Sequence, residues 1–79
     1  MIIFNIKSLL HKKSFSENKK LTFKDIEKET GIKYIQLSRM NSIPNYNASI
    51  INIELLCNYF NCTPNDLISI HKIQPKDLL

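Results

Sequence analysis

Cysteine, histidine and carboxylate side chains are the groups best able to do covalent, metal or acid–base chemistry. Here they are few and scattered. Cys57 and Cys62 stand five positions apart. A zinc site would need two further ligands, and His11 and His71 lie far off with no ligand spacing. Two cysteines also make a poor disulfide framework for a small secreted domain. Ordinary core thiols in a reducing compartment are the simpler reading. Neither histidine has a neighbouring acid or nucleophile in a recognisable pattern. Asp25, Glu27 and Glu29 crowd one short helix, where capping, the helix dipole and solvated surface account for them. The expectation is no enzyme, no cofactor and no metal.

Cations are more informative than these groups. Residues 1–40 carry nine Lys/Arg against four Asp/Glu, and residues 41–79 carry two against three. A basic half beside a near-neutral half suggests one face turned to a polyanion, with solvated lysines serving solubility as the alternative. Thirteen Ile, nine Asn and ten Lys against one Arg is the usage of an AT-rich genome, so some lysines reflect codons rather than binding. The lone Arg39 then stands out, because a planar guanidinium recognises what an ammonium does not.

The 79 residues leave room for one small domain, expected over 1–79. At 43% apolar and 23% charged, the chain is neither a disordered nor a membrane sequence. The apolar opening Met1–Phe4 stops at Asn5 with no basic region before it, so it does not read as a signal peptide. A cytoplasmic domain is expected, from a bacterium, a phage or an organelle. Gly31 is the single glycine, which argues against a turn-rich β domain and against glycine-rich phosphate loops.

Five short helices must position these side chains. The first follows Asn5 as a candidate N-cap, carries Ile6, Leu9 and Leu10 at helical spacing, and ends at Lys12-Lys13. Ser14–Lys20 reads as a polar loop. In the second, Thr22 and Asp25 form a capping box, Leu21 and Ile26 a hydrophobic staple, and Gly31 the left-handed stop. The third runs from Tyr34 to Met40 with Leu37 and Met40 inward. A loop follows over Ile43–Asn47, and Ser49 caps a fourth helix reaching about Phe60. That helix carries two apolar stripes. Ile50, Ile53, Leu56, Cys57 and Phe60 are expected in the core, while Ile51, Leu55 and Tyr59 must be covered by the rest of the fold or by a partner. Thr63-Pro64-Asn65-Asp66 starts the fifth helix. The alternation from Ile68 onward allows a short strand that pairs with Ile2–Phe4.

Two short helices joined by a turn containing Gly31, inside a small basic helical domain, read as a helix-turn-helix over about residues 22–41. The sequence resembles the phage lambda Cro/repressor-type helix-turn-helix, the XRE family. Leu21–Glu27 resembles the opening helix of that motif, Thr30-Gly31-Ile32-Lys33 its turn, and Tyr34–Met40 its recognition helix. Ile53–Cys57 with Phe60–Leu67 resembles its closing helices. The family more often has Gln at Phe23, a small residue at Glu27 and Ser at Lys33, and its loop before the motif is shorter than Ser14–Lys20.

The resemblance implies an all-α, five-helix lambda-repressor-like domain, to which the alternation at the tail allows a short strand pair formed by the two ends. It also implies a small transcriptional regulator that binds double-stranded DNA. On the recognition helix, about 33–41, it places Lys33, Tyr34, Gln36 and Arg39 against base edges. Thr22, Lys24, Asn45, Tyr46 and Asn47 become candidate phosphate contacts, which position without specifying. Ile51, Leu55 and Tyr59, with the tail from Ile70 to Leu79, are the expected homodimer surface on a two-fold symmetric site. The alternative is a protein-interaction module of the antitoxin or co-regulator kind, holding a protein partner on the same stripe.

Overall fold

The computed structural model describes residues 1–71. Most of the tail assigned above to a dimer surface lies outside them. In chain order the elements are β1 (Ile2–Phe4), α1 (Ile6–Glu17), α2 (Phe23–Thr30), α3 (Tyr34–Ser42), α4 (Ile50–Phe60), α5 (Pro64–Leu67) and β2 (Ile68–Ile70). The two ends pair as expected. β1 and β2 run antiparallel, with Ile2 opposite Ile70 and Phe4 opposite Ile68. Backbone bonds extend the pairing, from His71 N–H to the Met1 carbonyl at 2.7 Å and from Asn5 N–H to the Leu67 carbonyl at 2.8 Å.

One core joins all the helices. Ile6, Ile26, Leu37, Met40, Leu56 and Leu67 are fully enclosed, each from a different helix except the α3 pair. Burying a side chain of this size contributes about 1.5–3 kcal/mol. Phe4 from β1 and Ile32 from the α2–α3 turn complete the same cluster. Gly31 sits at φ +83°, a left-handed position where a side chain would be strained, and so ends α2 abruptly.

Local capping holds three helices. Asp25 accepts the Thr22 N–H at 2.7 Å, Ser49 Oγ accepts the Asn52 N–H at 3.1 Å, and Asp66 accepts the Thr63 N–H at 3.3 Å. α1 differs from expectation at both ends. Asn5 does not cap it, because its Nδ2 donates across to Ser69 Oγ at 2.8 Å. Asn41 of α3 instead accepts the Lys7 N–H at 3.0 Å. At the other end α1 continues past Lys13 to Glu17, and Asn18 closes it in the left-handed region. A Lys13–Glu17 ion pair of 2.7 Å one turn apart and the Leu21 N–H bonded to Ser14 Oγ support this extension. The loop is correspondingly short, beginning at Asn18 rather than Ser14.

α4 divides its apolar residues differently from the two expected stripes. Leu56 and Cys57 are buried, and Ile53 and Phe60 are half-buried. Ile50, expected in the core, is 84% exposed at the first turn and does not pack against it. Of the second stripe, expected to be covered by the fold or by a partner, Leu55 and Tyr59 pack against the core. α1 reaches over this side of α4, with Lys13 Nζ 4.8 Å from the centre of the Tyr59 ring.

Candidate nucleic-acid interface

α3 is where the expected base-reading residues converge. Leu37 and Met40 anchor one side of it in the core with no exposure. At about 3.6 residues per turn the opposite side carries Ile35, Ser38, Arg39 and Ser42. All four are exposed. Tyr34 and Lys33 are exposed at the amino-terminal end, and Gln36 is half-buried on the flank. Arg39 forms no ion pair among the described residues, so its guanidinium is open to an anion or a base edge.

The amino-terminal end of α3 is held from α2. Lys33, in the capping position, makes no side-chain cap and carries the wrong charge for the positive end of a helix. Glu27 supplies what Lys33 lacks, accepting the Tyr34 N–H at 2.7 Å. The two departures from the common family pattern, Glu27 for a small residue and Lys33 for Ser, therefore compensate each other. Thr30 Oγ1 reinforces the turn, donating to the Ile26 carbonyl at 2.7 Å and accepting the Ile32 N–H at 3.2 Å.

Cations gather around this end. Lys24 Nζ lies 5.4 Å from the centre of the Tyr34 ring, and Lys24, Glu27, Lys28 and Tyr34 line one shallow hollow. The other expected phosphate contacts are less free. The Thr22 hydroxyl donates to Asp25 at 3.0 Å and its N–H goes to the same carboxylate oxygen. Asn45 adopts φ +59° and exchanges two 2.8 Å bonds with Ile2, through its N–H and its Oδ1. It therefore pins the α3–α4 loop to β1. Tyr46 is half-buried against the core, whereas Asn47 is exposed.

Residues 5–72 match the Cro/C1-type helix-turn-helix (HTH) DNA-binding domain family. The chain belongs to that family. The match spans every helix among the described residues, from Asn5 ahead of α1 to beyond β2. No curated protein and no solved structure matches the chain significantly. Among the described residues, no helix is long and apolar enough to cross a membrane.

Within this Cro/C1-type domain three residues around α3 carried no expectation from the sequence. Ile35 sits on the exposed side of α3, and projecting the helix at 100° per residue would have placed it there. Lys28 joins Lys24 beside Tyr34, one turn along α2. Glu27 as a cap for α3 has no local signal, because donor and acceptor are seven residues apart in different helices.

Cys57 and Cys62 are both free thiols. Cys57 is buried, and burial, then the neighbouring Cys57, pushes the Cys62 thiol up to about 11. A thiol so protonated is a poor nucleophile at neutral pH. Burial, then the charges of Asp25, Glu17 and Glu29, raise the Tyr59 phenol above its ordinary value. Tyr59 shares a cleft with Lys13, Lys19, Lys20 and Lys28, whose charges are offset by Glu17, Asp25 and Glu29 in the same walls.

Proposed function

We propose that this protein binds double-stranded DNA sequence-specifically and regulates transcription, with α3 lying in the major groove. The observation that carries this reading is the exposed side of α3, with Arg39 on it, free of ion pairs among the described residues, and Lys24, Lys28 and Lys33 at its amino-terminal end. Lysines there neutralise phosphates, and Arg39 pairs with guanine or a phosphate. Lys33 and Tyr34 approach base edges or backbone at the helix start, and Gln36 meets adenine from the flank. Lys24 and Asn47 are the principal backbone contacts among the expected set. Thr22, Asn45 and Tyr46 support them chiefly by fixing the loops.

The protein acts as a homodimer on a two-fold symmetric site with half-sites about 34–36 Å apart. Ile51, 70% exposed, is the part of the expected dimer stripe that stays open, and Ile50 joins it. Leu55 and Tyr59 back that surface from the core side. The same isoleucine pair is what favours the second reading, a module that docks on a different protein. Arg39→Ala decides between them. Loss of sequence enrichment with unchanged thermal unfolding supports the DNA reading. Unchanged enrichment, with a partner lost on Ile51→Asp, supports the docking reading.

A further inference from the structure

Of the aliphatic side chains of α3, Ile35 is the one that the core does not use. It is 50% exposed and belongs neither to the buried core nor to the apolar side chains packed against it. Its neighbours on the same side, Ser38, Arg39 and Ser42, are all polar. Helix propensity does not account for it, since a β-branched residue is a poorer helix former than the Lys, Gln or Ala that an exposed position would accept. A branched side chain with little χ1 freedom in a helix does, however, present a pre-ordered apolar surface.

We propose that Ile35 reads the 5-methyl group of thymine and so sets an A·T preference at one position of each half-site. The inference rests on α3 entering the major groove, the reading given above. Ile35 is the second residue of α3, in the part of a recognition helix that approaches base edges most closely. The edges of the four base pairs in that groove display hydrogen-bonding groups and a single apolar one, the thymine methyl. Against thymine, Ile35 removes two apolar surfaces from water together. Against guanine or cytosine it covers a polar edge without offering a partner, which is unfavourable. The same side chain thus selects for one base and against the others. Arg39 lies one turn further along the same side, so the thymine falls within about two base steps of the base that Arg39 reads.

Deoxyuridine isolates the methyl, because it keeps every hydrogen-bonding group of thymidine and lacks only that carbon. Two random-sequence duplex pools, one made with thymidine and one with deoxyuridine, are each selected on the full chain and on its Ile35→Ala and Ile35→Val variants. The expected result is a thymine enriched at one position per half-site. That enrichment falls about fourfold in the deoxyuridine pool, the factor carried by burying one such carbon. Ile35→Ala removes the difference between the pools, and Ile35→Val keeps it. Equal enrichment from both pools by the unaltered chain overturns the proposal, as does a difference that survives Ile35→Ala. Failure to enrich any sequence from the thymidine pool overturns the DNA reading itself, and is told apart by that outcome. Thermal unfolding of Ile35→Ala stays close to that of the parent, because the side chain lies outside the core.

Discussion

The side of α2 and α3 and the first turn of α4 are both open to solvent, and they are built from opposite chemistry. Around α3 stand Lys24, Lys28, Lys33 and Arg39, with Tyr34 and the serines between them. From Asn41 through Ile53 there is no charged residue at all, yet Ile43, Ile50 and Ile51 are exposed within that stretch. A polyanion suits the first surface, since each neutralised phosphate releases counterions. An apolar partner suits the second, because an exposed isoleucine gains only when water is excluded from it. Lysine is common throughout this chain, with ten of its 79 residues. Codon usage alone would not sort charge and apolar surface to different places, as they are sorted here.

The largest effect expected of any single change comes from beneath the charged surface. Leu37→Ala removes the enclosed side chain that seats α3 and destabilises the protein by about 2–5 kcal/mol, read by thermal or urea unfolding. That is a substantial part of the roughly 5–15 kcal/mol that holds such a domain together. Sequence-specific binding is lost with it. A variant that melts normally would mean that α3 is not anchored as described.

Arg39→Ala leaves folding intact and costs about 1–3 kcal/mol of discrimination, or roughly 5- to 150-fold in specific affinity by fluorescence anisotropy. Gln36→Ala, at the half-buried flank, costs less than Arg39→Ala. An equal or larger loss at Gln36 would rotate the reading face of α3 away from Arg39.

Glu27 gives a smaller and more diagnostic effect. Glu27→Ala leaves the Tyr34 N–H without its acceptor and lowers stability by about 1 kcal/mol, the usual worth of a helix cap. Glu27→Gln keeps an acceptor and should retain most of that stability. Equal melting of the two variants would deny Glu27 its capping role.

Ile51→Asp is the smallest in stability, within about 0.5 kcal/mol, since the side chain is already mostly in water. Its expected effect is on association. Sedimentation should show the parent self-associating at high micromolar concentration and the variant monomeric. A parent that stays monomeric removes the dimer from the account and leaves the charged surface to act alone.

Caps show how far the fold could be read from the chain. α2, α4 and α5 begin on Thr22, Ser49 and Thr63, and their acceptors or donors lie three residues away, so the local pattern carries the whole signal. α1 and α3 are capped by Asn41 and Glu27, each from another helix. No spacing rule reports such a bond. The strand pair was legible from alternation at the carboxyl-terminal end. The end of α1 was not, because Phe15 is 91% exposed and breaks the hydrophobic period just where the helix continues. The Lys13–Glu17 spacing and Asn18 were the available signals there. α4 is apolar on both sides, so its own sequence could not say which isoleucines the neighbours would cover. On α3, Arg39 stood out as the single arginine, whereas Ile35 carried no signal beyond its place in the motif.

The most direct test of the central claim is fluorescence anisotropy with a random-sequence duplex pool at two salt concentrations, followed by sequencing of the bound fraction. Affinity should fall steeply as salt rises, and the bound fraction should enrich a two-fold symmetric sequence, because phosphates set the salt slope and base contacts set the enrichment. Absence of binding even at low salt would contradict the account and turn attention to the isoleucines at the start of α4.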